Sequence, residues 1–123
     1  ITIAHAEFDK HQALQIMNYL SGLGISVDHT PQTFSHYNEP TRRVEADVIE
    51  GRLRHDQNPV MDWMIQNVKI IMQSHTEYIK PVKKDQLSKI DGVHALMTGL
   101  CGMKKADELP PDGSEEDFEV TTL

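Results

Sequence analysis

The order of apolar and polar positions along the chain predicts short strands that alternate with helices. Residues 1–8 alternate apolar and polar side chains at their start, which is the period of a half-buried strand. Between Lys10 and Leu23 the apolar residues recur at helical spacing, and Gly24 supplies the glycine at which helices commonly end. Residues 25–29 predict a second strand, which Thr30-Pro31 ends.

The middle of the chain is expected to contain two further helices. A polar loop is predicted up to Glu39, and Pro40 suits the first position of a helix that closes at Gly51. The apolar face of that helix is Val44, Val48 and Ile49. Asn58-Pro59 is a second pattern of this kind, in which an N-cap residue precedes a proline, and it predicts a short helix.

The last part of the folded region returns to the same alternation. Residues 68–79 predict one or two strands, and Ser88 predicts the start of a final helix. The apolar face of this helix comprises Ile90, Val93, Leu96, Met97 and Leu100. Strands that alternate with helices in this way argue for an α/β domain.

The composition changes after Met103. Residues 104–123 contain two adjacent prolines and seven acidic residues against two lysines, which is typical of a disordered segment. We therefore expect one domain over residues 1–103 and an acidic flexible tail over residues 104–123. The tail carries −5 of the net charge of −7, so the acidic balance does not argue against nucleic-acid binding by residues 1–103.

Several classes of protein are disfavoured by the composition. No apolar run approaches the roughly 20 residues of a membrane span, and no secretory leader is visible. The single cysteine, Cys101, excludes an internal disulfide, and an inert buried thiol is its expected state. The seven histidines lack the spacing of a helical zinc site, and no glycine-rich phosphate loop is present. Because residue 1 is isoleucine, we expect a fragment or a trimmed or processed chain.

Two carboxylates stand where α/β folds place functional groups. Asp9 lies between the first strand and the first helix, and Asp91 lies in the first turn of the last helix. On spacing alone helix capping is the better explanation of both, since Asp9 suits an N-cap and Ser88 to Asp91 fits a capping box. Metal-dependent phosphodiester hydrolysis is the alternative, since it needs converging carboxylates.

Three segments in order resemble the large terminase subunits of tailed phages. Residues 55–63 are similar to that family's His-x-x-Asn-Pro-Val-x-x-Trp segment, and Asn67 follows where the family also has asparagine. Residues 89–96 resemble its Lys-Ile-Asp-Gly helix start. Upstream, Phe8-Asp9, Gly24 and Gln32 follow the family order, with phenylalanine where the family usually has tyrosine. The likeness covers about residues 3–103.

The resemblance implies an RNase H-like nuclease fold, incomplete on its N-terminal side. It implies that Asp9 and Asp91 are catalytic ligands of two Mg²⁺ or Mn²⁺ ions, with a further carboxylate on an opening strand that has no counterpart here. The implied activity is endonucleolytic cutting of concatemeric phage DNA during packaging. The implied partners are double-stranded DNA, the portal and other packaging components, in the host cytoplasm and without a membrane.

Other residues have two explanations each. His55 and Asn58 are candidates for the cleft, although a loop-packing histidine and a helix cap are the simpler explanations. A lysine cluster before Asp91 suits the DNA backbone or a solvated loop equally, and it comprises Lys80, Lys83, Lys84 and Lys89. A second basic group has the same ambiguity and comprises Arg42, Arg43, Arg52 and Arg54.

Two other functions fit the sequence. The chain is alternatively a non-catalytic docking module or prophage remnant, whose acidic tail binds the portal or another packaging component. It is also compatible with a general RNase H-like nuclease or resolvase. Binding of Mn²⁺ at Asp9 and Asp91 separates a nuclease from a docking module, which does not require it.

Overall fold

A computed structural model describes residues 2–9 and 13–108. The chain order is β1 (His5–Phe8), α1 (Leu14–Gly22), β2 (Ser26–His29), α2 (Phe34–Ile49), α3 (Pro59–Gln66), β3 (Val68–Met72), β4 (Ile79–Lys83) and α4 (Asp91–Glu108). The predicted mixed α/β class is confirmed. No helix in the described part of the chain is long and apolar enough to cross a membrane.

The strands form two small sheets. β1 and β2 are parallel, with Glu7 opposite Asp28, and the connection between them is α1. β3 and β4 form an antiparallel hairpin in which Val68 is opposite Lys83. The predicted strand region of residues 68–79 thus contains β3 and only the first residue of β4, because the turn between them occupies residues 73–78.

The chain divides into two compact units. Among the described residues, unit 1 comprises 2–9, 13–31 and 98–108, and unit 2 comprises 32–97. Unit 1 contains the parallel pair, α1 and the C-terminal half of α4, whereas unit 2 contains α2, α3, the hairpin and the first turns of α4.

Helix α2 begins six residues before the predicted start at Pro40. The Thr33 side chain caps it by accepting a hydrogen bond from the backbone N–H of His36, and Pro40 lies inside the helix. An interior proline removes one helical hydrogen bond. Burial of Tyr37 and Thr41 compensates, and the Thr41 hydroxyl donates to the Tyr37 carbonyl oxygen at 2.6 Å. The polar residues that surround Tyr37 hid this first turn from the hydrophobic pattern.

Three predicted helix boundaries are confirmed. Gly24 and Gly51 have positive φ angles of 82° and 67°, which glycine adopts without strain directly after a helix. Asn58 caps α3, since its side-chain oxygen accepts the backbone N–H of Val60 at 2.9 Å, and Pro59 occupies the first turn.

The C-terminal helix extends further than expected. Composition placed the start of the tail at residue 104, but α4 continues to Glu108 and the Lys105 side chain forms ion pairs within unit 1. Residues 104–108 therefore belong to the helix. The remainder of the expected tail, residues 109–123, lies outside the described residues.

Candidate functional site

Asp91 occupies the first residue of α4 and is exposed to solvent. The residue before it, Ile90, is buried, as are Val93 and Met97 on the inward face of the helix. This spacing places Asp91 on the opposite side from the core of unit 2. Its carboxylate makes no hydrogen bond or ion pair with the described residues, so both oxygens remain available to a ligand.

Gly92 allows the start of α4 to pack closely against α3. A Cβ atom at this position would lie 2.8 Å from the sulfur of Met61 and 3.0 Å from the sulfur of Met64. The backbone N–H of Gly92 also donates to the Met64 sulfur at 3.1 Å. Helix α3 therefore supports the backbone next to Asp91, because Met61 and Met64 of α3 contact Gly92 within unit 2.

Asn67 joins both ends of the connection between β4 and α4. Its backbone carbonyl oxygen accepts the N–H of Lys84 at 2.9 Å, and its side-chain amide donates to the Lys89 carbonyl oxygen at 3.2 Å. One residue at the end of α3 thus fixes where the connection starts and where it ends, two residues before Asp91.

The predicted capping box at Ser88 is wrong, because α4 begins at Asp91 and Ser88 has another partner. One carboxylate oxygen of Asp85 accepts the hydroxyl of Ser88 at 3.0 Å and the backbone N–H groups of Leu87 and Ser88 at 2.9 Å each. The hydrogen bonds from the hydroxyl and N–H of Ser88, followed by that from the N–H of Leu87, lower the pKa of Asp85. The carboxylate holds a tight turn in the connection.

Asp9 follows β1 in unit 1 and is exposed. The prediction that it caps the first helix is wrong, since the N-cap position of α1 is Ala13 and no side chain caps that end. The backbone just before Asp9 is fixed, because the Phe8 carbonyl oxygen accepts the Thr30 N–H at 2.9 Å. Asp9 belongs to unit 1 and Asp91 to unit 2, so the prediction that both bind the same metal site stays a prediction.

Sequence reasoning missed a polar network in unit 1 that centres on Glu7. The Glu7 side chain is 1% exposed, and the Lys105 ammonium contacts it at 2.5 Å and Asp28 at 2.8 Å. The Thr30 hydroxyl donates to the same Glu7 oxygen at 2.5 Å, and the His5 ring nitrogen Nε2 lies 2.7 Å from the other oxygen. The alternation of residues in β1 and β2 does indicate a shared polar face. It places His5 and Glu7 on one face of the sheet, where they pair with Ser26 and Asp28 of the neighbouring strand.

The charges in this network stabilise one another. Burial alone would raise the pKa of Glu7, but hydrogen bonds from Lys105, Thr30 and His5 lower it overall. The Lys105 hydrogen bond likewise lowers the pKa of Asp28. For Lys105 burial opposes the charge, and its hydrogen bonds to Asp28 and Glu7 raise the pKa nevertheless. The two carboxylates are therefore ionised and engaged by the ammonium group.

His55 and Asn58 stabilise their own loop. The His55 Nδ1 atom accepts the Gln57 N–H at 3.1 Å, where Gln57 has a positive φ of 58°. The Asp56 carboxylate accepts the Asn58 N–H at 3.2 Å, and Asn58 caps α3. These contacts are the local ones that the simpler explanation of each residue requires, and a role of either residue in a cleft stays a prediction.

The four candidate lysines differ in what surrounds them. The Lys80 ammonium donates to the Gln32 carbonyl oxygen at 3.2 Å and lies 4.9 Å from the centre of the Phe34 ring, so it is engaged within unit 2. Lys83, Lys84 and Lys89 are exposed and form no ion pair with any residue that the structure describes. The last three are therefore the available cations.

The arginine group is partly neutralised. Asp47 pairs with Arg43 at 3.5 Å and with Arg52 at 2.7 Å, and Arg52 also pairs with Glu50. Arg42 donates to the Glu77 carbonyl oxygen at 3.0 Å. This part of unit 2 consequently presents less free positive charge than its arginine count suggests.

The donor chemistry of Asp9 and Asp91 suits a hard divalent cation, since Mg²⁺ and Mn²⁺ prefer carboxylate oxygens. Two carboxylates are, however, fewer than a site for two metal ions requires. Within residues 2–9 and 13–108 no group of three or more His, Cys, Asp or Glu side chains is arranged to hold a metal ion. Glu7 and Asp28, which are paired across β1 and β2 in unit 1, are both engaged by Lys105.

Comparisons with known proteins agree with the sequence resemblance. The chain is similar to Protein YmfN of Escherichia coli (strain K12), with 40% identity over 71 residues, which is 56% of this chain and 15% of that protein. No solved structure matches significantly. The family described as the terminase large subunit, endonuclease domain, matches residues 7–107, which include Asp9, Asp91 and Lys105. The chain therefore belongs to the endonuclease-domain family of terminase large subunits.

Proposed function

We propose that this chain is the nuclease part of a terminase large subunit, with an RNase H-like fold, and that it cuts concatemeric DNA during genome packaging. The family match over residues 7–107 carries the proposal. Because the chain spans about 15% of its curated relative, the activity of the whole protein is part of the proposal. So are its partners, which are double-stranded DNA, the portal and other packaging components in the host cytoplasm.

In this proposal Asp91 and Asp9 are the carboxylates of this chain that bind the metal. Two divalent ions, Mg²⁺ or Mn²⁺, when bound, supply activation of water and neutralise the charge that develops on the phosphate. Asp91 provides oxygen ligands from a backbone position that Gly92 and Asn67 hold in place. A further carboxylate, from outside the described residues, completes the site.

The exposed lysines hold the DNA in this proposal. Lys83, Lys84 and Lys89 lie within eight residues before Asp91 and are unpaired within the described residues. Ammonium groups neutralise phosphates without selecting a base sequence. The substrate is therefore bound mainly by its backbone, and the cut has little intrinsic base preference.

The test replaces Asp91 by asparagine in a complete large terminase subunit that carries this segment. Asparagine is nearly isosteric, but its amide is a poor ligand for a hard dication. We expect Asp91→Asn to abolish Mn²⁺-dependent cleavage of supercoiled plasmid while ATP hydrolysis and the melting temperature remain unchanged. Asp62→Asn, at a half-buried aspartate of α3 outside the proposed site, is the control and should cleave at the wild-type rate. Cleavage by Asp91→Asn at the wild-type rate would falsify the assignment.

The chain by itself is expected to bind Mn²⁺ weakly and to leave plasmid uncut. Two carboxylates are too few to hold two ions, and the network around Glu7 does not offer another. Mn²⁺ binding is measured by the loss of the free-ion electron paramagnetic resonance signal. Strong Mg²⁺-dependent cutting by these 123 residues, removed by a chelator, would show that the ligand assignment is wrong.

A further inference from the structure

The connection between β4 and α4 exposes a large apolar side chain at its tip. Leu87 is 89% exposed, the highest value among the large hydrophobic residues that the structure describes. Two of the residues that follow it in the same connection are buried, with Ser88 8% and Ile90 1% exposed. The backbone thus turns one apolar side chain outward while it anchors the residues that follow.

The exposure of Leu87 is fixed by the hydrogen bonds around it. Asn67 holds the connection at Lys84 and at Lys89, and the Asp85 carboxylate accepts three hydrogen bonds from Leu87 and Ser88. An apolar group on a mobile loop would be free to fold back onto the protein surface. Here the turn restrains the backbone of Leu87, so its side chain projects from a preorganised position.

The surroundings of Leu87 are basic. Lys83 and Lys84 precede it and Lys89 follows it, all exposed and outside any ion pair within the described residues. The acid in the connection, Asp85, has one oxygen committed to the turn. An apolar tip between lysines is complementary to a DNA groove, in which phosphates border the edges of the stacked bases. Proteins that kink DNA insert leucine and similar wedges at such places.

We propose that Leu87 is an apolar wedge that enters double-stranded DNA and unstacks a base step while Lys83, Lys84 and Lys89 hold the flanking phosphates. The inference rests on the proposed function, because it places the DNA substrate beside Asp91. The wedge distorts the duplex at the place where its backbone is to be cut. The partner to which we commit is duplex DNA.

The experiment measures unstacking directly. The 123-residue chain is added to a short duplex that carries 2-aminopurine at successive positions, and both fluorescence and affinity are recorded without metal. The wild type is expected to raise the emission at one step of the duplex. Leu87→Ala is expected to abolish this rise and to weaken binding about threefold to tenfold while the salt dependence stays the same. Ile49→Ala, at another exposed apolar residue of unit 2, leaves both unchanged.

A lysine variant separates the two parts of the proposal. Lys83→Ala with Lys84→Ala is expected to reduce the slope of log affinity against log salt by about 0.9 for each phosphate that is no longer neutralised. An unchanged fluorescence rise in Leu87→Ala overturns the wedge and leaves the nuclease assignment intact. No binding of duplex by the wild type overturns the wedge together with the DNA contacts of the proposed function. Loss of plasmid cleavage in Asp91→Asn is independent of both results.

Discussion

The two units of this chain are stabilised by different means. Unit 2 contains five of the six buried hydrophobic side chains in the described part of the chain, namely Tyr37, Ile79, Ile90, Val93 and Met97. Unit 1 contains one, Ile25, together with the buried Glu7 carboxylate and its ion pair to Lys105. Apolar burial is insensitive to pH, whereas a buried ion pair is not. The difference therefore predicts which substitutions and which conditions affect each unit.

The largest expected effect is the loss of an apolar side chain from unit 2. Ile90→Ala removes three carbon atoms from a residue that is 1% exposed and should lower the free energy of unfolding by about 3–4 kcal/mol. Chemical denaturation followed by circular dichroism measures it. Leu87→Ala, three residues earlier and 89% exposed, is the control and should change stability by less than about 0.5 kcal/mol. Similar losses in both variants would contradict the assigned core.

The next effect is the loss of the ion pair in unit 1. Lys105→Met leaves Glu7 buried without its cation, and we expect a loss of about 2–3 kcal/mol. This is less than for a fully enclosed pair, because the Lys105 side chain is 35% exposed. Lys104→Met, at the exposed neighbouring position of the same helix, should have a much smaller effect. Equal melting temperatures of Lys105→Met and the wild type would mean that the network adds no stability.

The pH dependence of this difference follows from the shifted pKa values. The pKa of Glu7 and that of Asp28 are lowered in the folded state. Their ionised carboxylates therefore add to the free energy of unfolding at pH values above the ordinary carboxyl pKa of about 4. This contribution is lost as the pH falls through the folded-state pKa values. The pKa of Lys105 is raised, so its contribution disappears only as the pH rises beyond about 10. The stability gap between wild type and Lys105→Met should be constant near neutral pH and close in acid.

A pair of truncations should separate the helix from the residues after it. Removal of residues 104–123 deletes Lys105 and is expected to cost at least as much stability as Lys105→Met. Removal of residues 109–123 retains the ion pair and should shift the melting temperature by no more than a few degrees. Thermal denaturation compares the two, and an equal effect of both truncations would place important contacts beyond Glu108.

The smallest expected effect on stability concerns Asn67. Asn67→Ala removes the hydrogen bond to the Lys89 carbonyl oxygen and should cost about 0.5–1.5 kcal/mol. Faster hydrogen exchange of the amides of Leu87 and Ser88 is expected, since their turn loses one of its two attachments. Gln66→Ala, at the exposed preceding residue, serves as control. Unchanged exchange in Asn67→Ala would show that the Asp85 turn is sufficient to hold the connection.

The sequence predicted those features that depend on local chemistry. Proline and glycine at helix ends, the Asn58 cap and the mixed α/β class were all readable from short segments. The start of α2 was not, because one buried tyrosine in a polar segment leaves no periodic pattern. The Glu7 network was missed because Lys105 lies 98 residues from Glu7 along the chain. The alternation in β1 and β2 showed that a polar face exists but not which cation covers it.

The candidate site shows the same limit. The family resemblance selected Asp91, and the structure explains the role of the residues near it. Gly92 allows α4 to pack closely against α3, and Asn67 forms hydrogen bonds to both ends of the connection before α4. The capping explanations of Asp9 and Asp91 were wrong because the observed helix starts differ from the expected ones by several residues. Spacing along the chain does not report which side chain of a turn accepts the hydrogen bonds.

The double attachment at Asn67 has a consequence for the lengths of related chains. Lys84 and Lys89 are bonded to the same residue, so the intervening segment forms a ring of fixed circumference. Outside the Asp85–Ser88 turn the side chains of the ring are free to vary, but an inserted residue must break that turn, break the bond to Lys89 or rotate the start of α4. One extra residue in the helix turns the following side chain by about 100°. Relatives that retain an aspartate at the position of Asp91 should therefore tolerate substitutions in this connection and exclude insertions and deletions.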